Sequence, residues 1–216
     1  MRPFIAILCS FFFNQVCEAQ ITMETVRGDE GSMELYATNS TSIPYTVLID
    51  FTELTNLNSI GSPGVVVAQP GRSKVATLKR ITERQSTNMR YTYSFLKGDY
   101  HRKPKSETLY LIPLPQGTIA KGMRMTHVEN RLQPKEENTD YVGVSFSFSL
   151  PAEIVAPRKG IVSGISMNKY SEKDNLDFER GENYIEFFHE DGSLTKIMVL
   201  KPCSEKVKLG LVVFSG

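Results

Sequence analysis

Histidine and cysteine are both scarce in this chain, and their scarcity narrows the chemistry that the chain can perform. The 216 residues include three histidines and three cysteines. His101, His127 and His189 lie in three separate segments, and no His-Glu-x-x-His pair of zinc ligands occurs. The spacing therefore indicates no zinc site. His189 is expected to pack or form hydrogen bonds at the end of a β-hairpin.

An excess of one charge is also lacking. Lys and Arg total 25, Asp and Glu total 24, and the formal net charge is +1. A nucleic-acid partner is not predicted, because proteins that bind nucleic acids usually carry a basic stripe. Phosphate-binding and dinucleotide-binding glycine motifs are absent, and Gly160-Ile-Val-Ser-Gly164 has its serine in the wrong place for a nucleophile elbow.

Long apolar runs are absent after the first 19 residues. Residues 1–19 contain Arg2, an apolar run over 4–13, and then Cys17-Glu18-Ala19, which fits a signal-peptidase site. That run is too short to span a bilayer as a helix. We predict a signal peptide, export to the periplasm or the cell exterior, and no stable membrane span. Cleavage would leave Cys203 without an internal disulfide partner.

Helical periodicity is lacking too, and short extended runs take its place. Between residues 20 and 116, breaker residues separate candidate strands at 33–38, 45–51, 64–68, 74–81, 89–95 and 108–114. Such spacing is typical of an immunoglobulin-like β-sandwich. Residues 117–140 are predicted to form a polar connector, and residues 141–216 to form a second β-domain. The predicted fold class is all-β.

The second domain carries the clearest strand patterns. Val144, Phe146, Phe148 and Leu150 alternate with small residues, which predicts a strand with one buried face. Asp191-Gly192 between two alternating runs predicts a two-residue type I′ hairpin. In that register one face carries Ile185, Phe187, His189, Leu194, Lys196 and Met198, and the other carries Tyr184, Glu186, Phe188, Ile197 and Val199.

An acidic cluster lies in the loop formed by residues 169–182. Asp174, Asp177 and Glu179 could supply oxygen ligands to calcium, yet the glycine-centred pattern of a calcium-binding loop is missing. We interpret the segment as a solvated loop between two strands.

The second domain also resembles a known family. The ordered pieces are Ser147-Phe-Ser-Leu-Pro151, Ile154-Val-Ala-Pro-Arg-Lys-Gly-Ile-Val162, Asn183-Tyr-Ile-Glu-Phe-Phe-His-Glu-Asp-Gly192 and Ile197-Met-Val-Leu200. They resemble the β-sheet core of the lysostaphin-type zinc metallopeptidases, bacterial enzymes that cut peptide cross-links of peptidoglycan. Residues 20–116 resemble the β-rich amino-terminal part of one bacterial subgroup.

The resemblance implies that the metal ligands are lost. Ser147 stands where the family has a zinc-binding Asp, and Val199 stands where it has a histidine that polarises the scissile carbonyl. The closing His-x-His of the family would follow Gly216, so the resemblance implies a core truncated at its C-terminal end. A serine hydroxyl is a poor substitute for a carboxylate in holding zinc.

The function implied by the resemblance is that of an exported, catalytically inactive relative that needs no zinc. Its expected partner is peptidoglycan or an envelope protein, bound through a vestigial cleft lined by Ser147, Tyr184, Glu186 and Val199. Two alternatives stay open. The chain could be an active or fragmentary zinc metalloendopeptidase of the cell envelope, or a structural β-protein without a ligand.

Overall fold

The computed structural model describes residues 20–59, 64–104, 108–125, 142–149, 152–168 and 183–216. Over these residues the chain is all-β, with thirteen strands in four antiparallel sheets and no α-helix. None of them forms a helix long and apolar enough to cross a membrane. The chain divides into two compact units, Met1–Lys97 and Gly98–Gly216. The predicted start of the connector at residue 117 lies inside the second unit.

Seven of the described strands lie in the first unit. They are β1 (Ile21–Arg27), β2 (Met33–Asn39), β3 (Tyr45–Thr55), β4 (Leu57–Ser59), β5 (Val65–Ala68), β6 (Gly71–Arg80) and β7 (Asn88–Lys97). The first sheet has the order β1-β2-β6-β4, and the second sheet has the order β5-β3-β7. Strands β1 and β4 were not predicted from the sequence.

Asn56 carries the chain from the second sheet to the first. It is the single residue between β3 and β4, and its φ of 53° lies in the left-handed region, which Asn tolerates better than most residues. Its side chain accepts a hydrogen bond from the Thr82 N–H at 2.7 Å and donates one to the Thr82 carbonyl at 2.9 Å. These bonds hold the sharp bend in place.

The two sheets of the first unit share one apolar core. Alternation along β2 buries Met33 and Leu35 on one face, where they meet Leu57 and Leu78. Residues of the second sheet pack against this cluster, namely Phe51, Met89 and Tyr91. The cluster therefore joins the two sheets.

Six of the described strands lie in the second unit. They are β8 (Ala120–Arg124), β9 (Val144–Phe148), β10 (Gly160–Ser166), β11 (Tyr184–Phe188), β12 (Leu194–Met198) and β13 (Val212–Val213). The third sheet is the pair β8-β9, and the fourth sheet has the order β12-β11-β10-β13. Strand β9 thus pairs with a strand from the predicted connector. Its alternating face is less buried than predicted, because Val144 is exposed and Phe146 and Phe148 are half-buried.

The strand predicted at residues 108–114 does not form. The segment is irregular and lies in the second unit, where the Leu111 N–H donates to the Pro157 carbonyl at 2.9 Å. The Val155 N–H donates to the Pro113 carbonyl at 3.2 Å. Pro113 and Pro115 have no N–H to donate, so a regular strand ladder cannot continue through them.

The two-residue hairpin predicted at Asp191-Gly192 is wrong. The loop has three residues, 190–192, because the His189 N–H bonds the Ser193 carbonyl at 2.9 Å and the Gly192 N–H bonds the His189 carbonyl at 3.0 Å. Gly192 has a φ of 89°, as expected for a turn followed by a left-handed residue. The extra loop residue shifts the register by one and exchanges the predicted faces of β12.

Candidate functional site

The corrected register brings three polar or aromatic side chains of the hairpin, those of Tyr184, Glu186 and Lys196, to one face. Tyr184 lies opposite Met198, and Glu186 lies opposite Lys196. Residues directly opposite each other on antiparallel strands share a face. The Lys196 Nζ lies 3.9 Å from the centre of the Tyr184 ring, which is a cation–π contact.

Strand β10 completes this surface with a bulge. The register between β10 and β11 shifts between Val162 and Gly164, and the residue in the bulge is Ser163. The Ser163 hydroxyl donates to Glu186 Oε1 at 2.9 Å. A Cβ on Gly164 would lie 3.3 Å from Tyr184 Cε2 and from Glu186 Cβ, so glycine lets these side chains lie close over β10. We call Ser163, Tyr184, Glu186 and Lys196 the mixed face.

The structure brings together two of the four predicted cleft residues. Tyr184 and Glu186 are half-buried neighbours on the mixed face. Ser147 lies opposite Lys121 in the third sheet. Val199 follows the end of β12, is 44% exposed and has a φ of 63°.

Sequence reasoning missed Ser163 and Lys196 as members of this surface. Lys196 was assigned to the opposite face because the loop was counted one residue too short. Glu190-Asp191-Gly192 also fits a three-residue loop with glycine in the left-handed position, and that signal would have placed Lys196 correctly. The bulge at Ser163 has no comparable signal in the sequence beyond Gly164.

A second polar group lies at the end of the hairpin and is centred on His189. This side chain is fully buried. Its Nδ1 lies 2.8 Å from the Lys159 carbonyl oxygen, and its Nε2 lies 2.8 Å from Thr195 Oγ1. A neutral ring satisfies both contacts when Nδ1–H donates to the carbonyl and Nε2 accepts from the hydroxyl. Burial lowers the pKa of His189, which favours this neutral form.

Asp191 fixes the hairpin loop beside His189. Its Oδ2 accepts a hydrogen bond from Arg158 at 2.8 Å, and its Oδ1 accepts bonds from the Ser193 hydroxyl at 2.7 Å and the Ser193 N–H at 3.1 Å. Burial alone would raise the pKa of Asp191, but the bonds from Ser193 and Arg158 outweigh it and hold the pKa well below its usual range. The carboxylate is therefore ionised and paired.

Tyr110 joins the irregular segment at residues 108–114 to this loop. Its ring meets the His189 ring edge-on with the centres 5.7 Å apart, and its hydroxyl lies 3.2 Å from Ser193 Oγ. We call Tyr110, Arg158, His189, Asp191, Ser193 and Thr195 the hairpin anchor. The prediction that His189 packs and forms hydrogen bonds at the hairpin end is confirmed.

The sequence offered candidate metal ligands besides His189, and of these the structure describes only His101, which forms no metal-binding group with His189. His101 is exposed, and its N–H bonds Asp99 Oδ1 at 2.9 Å. His127 and the acidic loop at 169–182 lie outside the described residues, as does the predicted signal peptide at 1–19. Among the residues that the structure describes, no group of three or more His, Cys, Asp and Glu side chains could hold a metal ion.

The two polar groups offer different chemistry. In the hairpin anchor, both ring nitrogens of His189 and both carboxylate oxygens of Asp191 are occupied by contacts that hold the loop. In the mixed face, an ammonium, a carboxylate and an aromatic ring lie close together, and Lys196 is exposed. The first arrangement suits structural support, and the second suits recognition of a polar ligand.

Comparison of the chain with protein-family models, with curated proteins and with solved structures found no match. The resemblance to the lysostaphin-type peptidases stays a prediction from the sequence.

Proposed function

We propose that this chain is an exported, non-catalytic binding or scaffold protein of the cell envelope, and that its partner is peptidoglycan or an envelope protein. The mixed face is the observation that supports this proposal best. Peptidoglycan peptides carry amines, carboxylates and amides. Glu186 and Lys196 can pair with both charges of such a peptide, and Tyr184 offers an apolar ring beside them.

The proposal includes the finer architecture. The first unit is an immunoglobulin-like sandwich, an assignment supported by two antiparallel sheets that share a core. The second unit is a lysostaphin-type core without its metal ligands, an assignment supported by the ordered sequence pieces and by Ser147 and Val199 at positions where the family has ligating or catalytic side chains.

A binding experiment with purified peptidoglycan tests the proposal. The unmodified protein is expected to sediment with peptidoglycan, and the double variant Tyr184→Ala/Glu186→Ala is expected to lose most of that binding. The matched control is Glu34→Ala/Tyr36→Ala. On β2 and β6, the Glu34 carboxylate pairs with Lys74 at 2.9 Å and Arg72 lies 3.7 Å above the Tyr36 ring, so the control removes the same side-chain types from another sheet.

The outcomes are distinct. If both double variants lose binding equally, or if neither loses binding, the mixed face is not the binding surface. A protein that binds neither peptidoglycan nor any envelope fraction would contradict the proposal. Stoichiometric zinc in the purified protein, together with cleavage of peptidoglycan peptides, would support the active endopeptidase and overturn the non-catalytic assignment.

A further inference from the structure

Strand β7 presents a long edge that no other described strand covers. It has ten residues and lies at the end of the order β5-β3-β7. Within the described part of the chain, β3 is its only paired strand. Natural edge strands are usually guarded by a charge, a proline or a bulge near their centre. Residues 91–96 of β7 are Tyr-Thr-Tyr-Ser-Phe-Leu, which include neither a charged side chain nor a proline.

The pairing of β3 shows which backbone groups of β7 point to the open edge. The Ile49 N–H donates to the Gly64 carbonyl at 2.9 Å, on the β5 side of β3. Because Ile49 directs its backbone groups towards β5, its opposite residue Tyr93 forms a non-hydrogen-bonded pair with it. The N–H and C=O of Tyr93 therefore point away from β3. By the two-residue repeat of a strand, the same holds for Tyr91 and Phe95.

The side chains of the same residues are incompletely covered. Tyr91 packs against the core, and the Phe95 ring meets the buried Tyr45 ring with the centres 5.8 Å apart. Tyr93 is nevertheless 40% exposed and Phe95 is 36% exposed. An additional strand beside β7 would cover these aromatic rings and pair with the outward backbone groups in one step.

We propose that the occupant of this edge is β7 of a second copy of the chain, paired antiparallel about a two-fold axis at Tyr93. The edge is self-complementary in this register. Tyr91 lies opposite Phe95 of the second copy, Thr92 lies opposite Ser94, and Tyr93 lies opposite itself. Each of the three outward-pointing residues then meets another outward-pointing residue, as main-chain hydrogen bonding requires.

Charge repulsion disfavours one of the two registers that differ from this one by a single residue. In the proposed register Arg90 lies opposite Leu96 of the second copy, and Lys97 lies opposite Met89. In one of the two possible directions, a slip of one residue would place Arg90 opposite Lys97, which brings like charges together. The slip would also set Tyr93 opposite Ser94, whose backbone groups point to β3. The dimer does not depend on the proposed binding function, because the mixed face lies in the second unit.

Sedimentation velocity of the full chain over a wide concentration range tests the dimer. Two matched double variants test its register. Thr92→Lys/Ser94→Lys sets lysine opposite lysine at both symmetry-related pairs, whereas Thr92→Lys/Ser94→Glu sets lysine opposite glutamate at the same pairs. The dissociation constant of the dimer is expected to be roughly tenfold or more higher for the first variant than for the second.

Hydrogen exchange of the unmodified chain gives a second measurement that needs no variant. The amides of Tyr91, Tyr93 and Phe95 are expected to become protected as the concentration rises, while the already paired amides of Thr92 and Ser94 change little. A chain that stays monomeric at every concentration overturns the proposal. The proposal is also overturned if the two variants fold and have the same dissociation constant. A monomer whose β7 edge becomes protected only when an extended peptide is added overturns it as well.

Discussion

Different interactions stabilise the inside of each of the two units of this chain. In the first unit, β3 and β7 are eleven and ten residues long, and the core cluster of Met33, Leu35 and Leu78 is apolar. In the second unit the described strands are two to seven residues long, and a buried histidine and a paired aspartate hold the central hairpin. Long strands supply many ladder bonds, whereas short strands depend more on side-chain contacts from their loops.

The largest effect is expected from the core of the first unit. Leu35→Ala should destabilise this unit by about 2–5 kcal/mol, because Leu35 is fully buried and its truncation leaves a cavity. Leu54→Ala is the control, since Leu54 is 40% exposed and should cost much less. Hydrogen exchange measured residue by residue would show the loss confined to the first unit. A loss of equal size in the second unit would contradict the comparison.

The next effect is expected at the hairpin anchor. Asp191→Asn should destabilise the second unit by roughly 1–3 kcal/mol, because Arg158 and Ser193 lose a charged acceptor in a half-buried site. Glu24→Gln is the control in the first unit, where Glu24 and Arg72 form an exposed pair at 3.0 Å that should contribute little. Urea denaturation followed by circular dichroism measures both variants. Equal costs would mean that the anchor is no stronger than a surface ion pair.

A smaller effect is expected from the glycine of the hairpin loop. Gly192→Ala should cost about 1–2 kcal/mol, because Gly192 has a φ of 89° and an added Cβ would lie 3.1 Å from Arg102 Cβ. Gly64→Ala in the first unit has no such constraint, since no described atom outside its chain neighbours lies within 4 Å of the position that the added methyl group would take. Thermal unfolding should therefore distinguish the two substitutions. Equal melting temperatures would argue against the three-residue loop.

The smallest effect is expected from pH alone. The folded-state pKa of His189 is lowered, so the unfolded chain takes up a proton first as the pH falls. The stability that neutral His189 contributes is present above about pH 6.5 and is lost as the pH falls below that value. Hydrogen exchange at pH 7 and pH 5 should show the second unit losing protection in this window. His189→Gln should reduce the loss, and exposed His101→Gln should leave it unchanged.

Strand patterns in the sequence predicted the all-β class and many of the strands. Short extended runs between breaker residues identified β2, β3, β6 and β7, and each of these strands has one face directed to the shared core. The same reasoning failed at residues 108–114, where an apolar run contains Pro113, which has no N–H to donate to a regular ladder. It also missed β8, whose composition resembles that of a loop and whose pairing with β9 depends on a distant segment.

The candidate site was predictable only in part. The alternation that places Tyr184 and Glu186 on one face of β11 follows from the period of a strand, whatever strand lies beside it. Lys196 joins them only because the loop has three residues, since one residue more or fewer sends every side chain of β12 to the other face.

Local sequence alone determined that this chain forms strands, because side-chain alternation and turn residues act within a few positions. Tertiary structure decided which strands pair, where the hairpin register falls and which polar side chains are buried. These features depend on contacts between segments far apart in the chain, as when the Lys159 carbonyl and Thr195 hydroxyl satisfy the two nitrogens of His189. A pattern of neighbouring residues does not contain those contacts.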